Sequence, residues 1–195
     1  MQYFDNNENL RSELRDVFYK YGDSEFKFKS DLGIFSKDKI DEGSKVLVET
    51  YLKFGKDNIS ALDMGCGIGF IGIVLSKLKN INFDMVDVNN RAIHLTNMNI
   101  KTNKVSANVF VSDMYEKITK KYDLIITNPP IRAGKGVYLS ILTNSFNYLN
   151  DSGELWFVMR NNHGVKTVVK DLNETYNAEI LKKDKGYYIV KVTRK

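Results

Sequence analysis

Val165, Val168, Val169, Leu172 and Tyr176 fall at i, i+3, i+4, i+7 and i+11, the clearest helical face in the chain. Elsewhere, apolar runs of strand length alternate with runs of helical period. The predicted strands are Ile59 to Asp63, Ile81 to Asp87, Ala107 to Val111, Tyr122 to Thr127, Glu154 to Met159, Ala178 to Leu181 and Tyr187 to Thr193. One predicted helix runs through Ile71, Val74, Leu75 and Leu78, and another from a cap at Asn89 or Asn90 to Asn103. A third runs through Val137, Ile141, Leu142, Ser145 and Leu149. Lys185-Gly186 supplies a turn that closes the last two strands as a hairpin.

Strands alternating with helices mean a mostly parallel sheet covered on both faces and joined by right-handed crossovers. No helix separates the last two strands, so the final one must run antiparallel. The fold class is α/β: a Rossmann-like, seven-stranded, mostly parallel sheet with an antiparallel last strand. Ahead of it, Leu10, Leu14, Val17, Phe18 and Tyr21 fit a helical stripe. Val17, Tyr19 and Tyr21, then Phe26 and Phe28, fit alternating strands about a Gly22-Asp23-Ser24 turn. The hairpin is the predicted form. Asp41 is the N-cap of a helix through Val46, Leu47, Tyr51 and Phe54. The expected organisation is a single domain over residues 1–195, with an entry segment over 1–40 and a core over 41–195.

Composition narrows the class without naming a chemistry. At 195 residues, 43% apolar and 27% charged, with two prolines, the chain reads as globular rather than disordered or fibrous. A single cysteine, Cys66, excludes an internal disulfide framework and a cysteine-rich zinc site. His94 and His163 have no metal-ligand spacing, so no metal is expected. The first residues lack signal-peptide order, and no apolar run approaches membrane length, so the cytoplasm is expected. The net charge of +5 is compatible with a polyanionic partner such as RNA, or with lysine-rich drift.

The segment Leu62-Asp63-Met64-Gly65-Cys66-Gly67-Ile68-Gly69-Phe70-Ile71-Gly72 holds two overlapping patterns. One is Asp63 followed by Gly65, Gly67 and Gly69. The other is Gly67-x-Gly69-x-x-Gly72, formally a dinucleotide fingerprint, with Asp87 placed 20 residues after Gly67. A carboxylate immediately before the turn repels a pyrophosphate but suits a cationic amino-acid moiety, as in S-adenosylmethionine. The bland alternative is a tight strand–helix turn that merely needs glycine. Asp87 ends a strand, where a carboxylate can accept from two ribose hydroxyls or serve the following helix as an N-terminal acid. Asp113, also at a strand end, can accept from an adenine amine or cap a turn.

Asn128-Pro129-Pro130 follows the fourth strand. Two prolines stiffen an extended turn, fixing the Asn128 side chain and the Pro129 carbonyl. Both are acceptors suited to the two hydrogens of a conjugated amine. Such an amine is a weak nucleophile because its lone pair is delocalised. Acceptors on its N–H bonds favour a pyramidal nitrogen that can attack a sulfonium methyl, with orientation and electrostatics replacing a strong base.

With Gly33-Ile34-Phe35-Ser36-Lys37, Asp41-Glu42-Gly43-Ser44, the glycine turn, Asp87, Asp113 and Asn128 to Lys135, the chain from about Phe26 to Arg194 resembles a known family. It is similar to the class I S-adenosylmethionine-dependent methyltransferases of the small-domain group, which includes bacterial small-subunit ribosomal RNA guanine-N2 methyltransferases. The resemblance implies that Asp63, Gly65, Gly67 and Gly69 line the methionine side of the cofactor, Asp87 the ribose and Asp113 the adenine. It implies that Asn128, Pro129 and Pro130 hold the target amine, with Asn128 also binding the cofactor, and with Phe35, and with it Ser36, over the site. Ile131 stands where the broader motif often carries an aromatic ring, and Phe35 is the candidate replacement. Ile131, Arg132 and Lys135 are candidate substrate contacts, and Arg160 and His163 candidate phosphate contacts. Better-known relatives carry a duplicated N-terminal half that is not found in these 195 residues.

The leading expectation is methyl transfer to guanine N2 in ribosomal RNA or the small ribosomal subunit, by a monomer. One competitor is methylation of a protein glutamine amide, against which Ile131 counts because that group usually has tyrosine there. Others are a non-catalytic RNA-binding module and a nicotinamide oxidoreductase. Cys66 is read as a small filler of the turn.

Overall fold

The computed structural model describes residues 13–31 and 39–195. Gly33, Phe35, Ser36 and Lys37 therefore lie outside the described residues. Strands β1 (Leu14–Tyr21) and β2 (Ser24–Asp31) form the antiparallel hairpin, turning at Gly22 with φ +57°. Alternation decides the form: Val17, Tyr19, Phe26 and Phe28 are buried, while Asp16, Phe18, Lys20 and Lys27 between them are exposed. Tyr19 meets Phe70 edge-on, with ring centroids 4.9 Å apart. A two-stranded hairpin is marginal alone, so this aromatic packing holds it.

The remaining elements are α1 (Glu42–Phe54), β3 (Ser60–Met64), α2 (Phe70–Lys79), β4 (Asn82–Asp87), α3 (Asn90–Thr102), β5 (Asn108–Val111) and β6 (Tyr122–Thr127). They are followed by α4 (Lys135–Asn144), β7 (Leu149–Arg160), α5 (Val165–Leu172), β8 (Tyr176–Asp184) and β9 (Tyr187–Arg194). The seven strands lie in the order β5-β4-β3-β6-β7-β9-β8. All pairs from β5 to β7 are parallel, and β9 is antiparallel to both β7 and β8. The last strand is thus inserted between two earlier ones. No helix among the described residues is long and apolar enough to cross a membrane.

One helix is shorter than its apolar spacing predicts. α4 stops at Asn144, and Ser145 to Tyr148 form a 3₁₀ turn in which Ser145 Oγ donates to the Leu142 carbonyl at 2.7 Å. Leu149 opens β7 and pairs with Tyr122. It is buried in the same core as Ile141 and Leu142, but from the sheet. Tyr176 likewise begins β8 rather than ending α5, and it stacks on Phe146 at 3.9 Å. In both cases a residue of the next strand fell by chance on the helical period.

Alternate residues of the strands serve opposite sides. Leu124, Ile126, Trp156 and Val158 pack with α1, α2 and the hairpin, while Ile125, Leu155 and Phe157 pack with α4 and α5. The carboxyl ends of β3, β4, β5 and β6 point the same way, and a parallel sheet places ligands there.

Candidate functional site

Four strand ends supply the site. After β3 the chain turns through Gly65, Gly67 and Gly69, all with positive φ (+76°, +58° and +86°). The turn is anchored to β4: the amides of Gly65 and Cys66 both donate to the Val86 carbonyl, at 2.9 and 2.8 Å. A methyl at Gly69 would lie 2.9 Å from the Thr96 side chain, whereas one at Gly65 meets nothing within 4 Å. Gly69 is therefore needed by packing, and Gly65 floors open space. Cys66 is the filler expected: it is buried with Sγ 3.6 Å from Thr96 Oγ1, and burial pushes its thiol well up.

Asp63 lies beneath this turn, fully buried, and lines neither groove described below. Oδ2 accepts from the Gly72 amide at 3.1 Å, and Oδ1 is buried with no hydrogen bond. Burial, reinforced by the negative charge of Asp87, raises its carboxyl from 3.8 to about 7. Asp87 ends β4 and uses both oxygens, Oδ2 for the Gly67 amide at 3.0 Å and Oδ1 for the Asn89 amide at 2.9 Å. Burial raises its pKa too. Asn89, not Asp87, caps α3, accepting from Arg91 and Ala92. After β5, the turn is capped by Ser112, whose Oγ accepts from the Lys117 amide at 3.1 Å. Asp113 is thereby released from capping, and its Oδ1 is buried without a partner. An unpaired buried acceptor is costly and calls for a donor.

Two grooves meet at Gly65. One, about 390 Å³ with its open mouth, is lined by Met64, Asp87, Ser112, Asp113, Met114, Pro130, Val137 and Ile141. The other, about 780 Å³, is lined by Ser30, Lys39, Asp41, Ser44, Cys66, Gly67, Phe70 and Asn128. The first couples an apolar slot to two carboxylates, which suits a nucleoside. The second is lined by Asn128 and shares Gly65 with the first.

At the end of β6, Asn128 Nδ2 donates to Asp41 Oδ2 and to Ser44 Oγ, each at 3.0 Å. Flipping the amide would set Oδ1 against a carboxylate, two acceptors face to face, so the orientation is fixed by charge. Oδ1 takes no hydrogen bond among the described residues. The Pro129 carbonyl, expected as a second free acceptor, already takes the Ile131 amide at 2.9 Å across a tight turn at Pro130. One of its lone pairs remains.

Ile131 is half-buried, while Arg132 and Lys135 are exposed beyond it. His163 and Arg160 are exposed at the end of β7, and His94 is exposed on α3. Arg160 is not a loose cation. Its Nη2 donates to Tyr187 Oη at 2.7 Å, and its guanidinium lies 4.9 Å from the centre of that ring. Tyr187 in turn covers Gly43, where a methyl would lie 2.8 Å from the ring edge. Among the described residues no three His, Cys, Asp or Glu side chains gather as a metal set. Sequence reasoning gave Asp41 only a capping role and gave Ser44 and Tyr187 none. The Asp41-x-x-Ser44 spacing signals the cap, but the contact with Asn128 is tertiary.

The chain is similar to known proteins in sequence and in fold. Residues 25–191 match the family model for the methyltransferase small domain. The chain is 34% identical to YbxB of Bacillus subtilis over 197 aligned positions, covering 98% of each. It is 38% identical over 167 positions to ribosomal RNA small subunit methyltransferase C of Buchnera aphidicola, covering 83% of this chain but 47% of that protein. In structure it is similar to the 16S rRNA N2 G1207 methyltransferase of T. thermophilus in complex with AdoMet and guanosine. That likeness has a TM-score of 0.82 at 21% identity, over 95% of this chain and 52% of that one. The chain thus spans about half the length of these two methyltransferases and nearly all of the Bacillus protein.

Proposed function

The chain belongs to the methyltransferase small-domain family, and from that premise we propose that it methylates an exocyclic amine, guanine N2 of small-subunit ribosomal RNA, using S-adenosylmethionine. The observation that carries this reading is the fixed amide of Asn128, with both hydrogens held, on a residue that lines the second groove. The relatives named for ribosomal RNA methylation support the substrate class.

S-adenosylmethionine supplies, when bound, a methyl carbon on a cationic sulfur. The groove fits its nucleoside through the unpaired Oδ1 of Asp113 and the remaining lone pairs of Asp87. Gly65 and Gly67 let the chain backbone come close, and Asp63 is buried beneath the turn, bound to the Gly72 amide. Asn128 Oδ1 and the free lone pair of Pro129 accept from the target amine. These contacts polarise the N–H bonds so that electron density rises on nitrogen, orient its lone pair and stabilise the positive charge it gains as it reacts. Pro130 holds the turn in shape. Phe35, Ile131, Arg132 and Lys135 are assigned to the acceptor side, and the whole chain to one cytoplasmic methyltransferase domain working as a monomer.

The test uses the purified protein, isotopically labelled S-adenosylmethionine and small ribosomal subunits lacking their guanine-N2 methyl groups. Label in N2-methylguanosine is the expected result. Label in another nucleoside overturns the substrate, and label in protein glutamine favours the competing amide acceptor.

A further inference from the structure

We propose that Asp41 and Ser44 are positioning residues for Asn128, orienting and polarising its amide so that Oδ1 becomes a stronger acceptor for the substrate amine. This rests on the reading that Asn128 receives that amine. Asp41 Oδ2 accepts from two donors: the Ser44 amide at 2.9 Å, which caps α1, and Asn128 Nδ2 at 3.0 Å. Ser44 Oγ takes the second Nδ2 hydrogen at 3.0 Å. One turn at the start of α1 thus grips both hydrogens of an amide 87 and 84 residues away in sequence.

Two consequences follow from the chemistry of the amide. With both hydrogens held, the plane of Asn128 cannot rotate, and Oδ1 has one direction. A carboxylate on one N–H also draws the amide toward its charge-separated form, shifting negative charge onto Oδ1. As the attacking nitrogen becomes positive, that oxygen and the Asp41 charge behind it stabilise the change more than they stabilise the resting amine. The start of α1 is itself held. Gly43 is buried under Tyr187, with no space for a methyl, and Lys185 pairs with Glu42 at 3.1 Å. The helix end is therefore fixed before substrate arrives.

The experiment compares Asp41→Asn, Ser44→Ala and Ser44→Thr in the same labelled transfer to ribosomal RNA, with Tm and S-adenosylmethionine affinity measured on each. Asparagine is a good N-cap, so Asp41→Asn keeps the helix end while removing the charge. The expected result is a fall in kcat of about tenfold for Asp41→Asn and Ser44→Ala. KM for RNA is expected to stay within about twofold, with cofactor affinity unchanged, and Ser44→Thr is expected to restore the rate. Wild-type kcat in both deleterious variants overturns the proposal, as does a rise in KM at constant kcat, which would mark a docking role. If Asp41→Asn fails to fold, the Ser44 pair alone decides. A wild-type protein that methylates no amine overturns the functional reading itself, a result distinct from active protein with indifferent variants.

Discussion

Asn99 accepts the amide hydrogen of Lys29 on Oδ1 at 2.6 Å and donates from Nδ2 to the Lys29 carbonyl at 3.1 Å. A helix side chain thus pairs with the edge of β2 as a neighbouring strand would. Asn103, one turn further on at the C-cap of α3, repeats the pattern at Lys27, at 3.1 and 2.8 Å. The same Asn99 amide reaches the Ile68 carbonyl at 2.8 Å, so the hairpin and the glycine turn share an anchor.

Asn99→Leu is expected to leave the Lys29 backbone groups unpaired and to lower the Tm by about 5 °C. Amide hydrogen exchange at Lys29 should speed up before the sheet does. Unchanged protection at Lys29 would sink this account of how the hairpin is held.

Gly65 and Gly69 separate binding from stability. Both have positive φ, so alanine costs about 1 kcal/mol of backbone strain at either. Gly69→Ala adds a clash with Thr96 and is expected to destabilise the fold further. Gly65→Ala projects its methyl into open space, so it should melt only about 2–4 °C below the wild type yet bind S-adenosylmethionine poorly. Calorimetry on both variants reads the two effects. The idea fails if Gly65→Ala binds normally.

The buried carboxyl of Asp63 predicts an unusual pH profile. Between 3.8 and about 7 the folded protein still holds a proton that the unfolded chain has released. Stability contributed by this group therefore falls as pH rises through that window and is level above it. Asp63→Asn removes the effect. Its Tm should exceed the wild-type value increasingly toward neutral pH, by something on the order of 1–3 kcal/mol in stability. A Tm difference independent of pH would refute the assignment.

Asn128→Ala is expected to lower kcat for methyl transfer by about 100-fold or more while S-adenosylmethionine still binds. Equal loss of cofactor affinity would instead place Asn128 on the cofactor side of the site.

Arg160 is held by Tyr187 facing solvent, which suits a phosphate contact. Arg160→Ala should weaken RNA affinity and reduce the salt slope by about one, with methyl transfer at saturating RNA little changed. An unaltered slope would return Arg160 to a purely structural pairing.

Local features of the molecule were legible in the sequence and tertiary ones were not. The seven strands, a cap at Asn89 or Asn90 (the structure uses Asn89) and the antiparallel last strand follow from period, caps and a missing crossover helix. The choice of hairpin over helix for Val17 and Tyr19 rested on the Gly22 turn and alternation. Helix ends are obscured at Leu149 and Tyr176, because burial from a following strand mimics the helical period. In the site, Asp87 and Asp113 stood out as acids at strand ends, yet only the structure shows Ser112 taking the capping role that leaves Asp113 unpaired. The grip of Asp41 on Asn128 spans 87 residues, and nothing in either local pattern encodes it.

The order of the sheet also sets an order of assembly. β9 follows β8 in the chain but lies between β8 and β7. During folding, β8 has no partner but β9, and β7 keeps a bare edge until β9 arrives. Closure is an insertion rather than an addition at the rim. Until β9 inserts, β7 and β8 each present an unpaired edge, an arrangement open to pairing with a neighbouring copy.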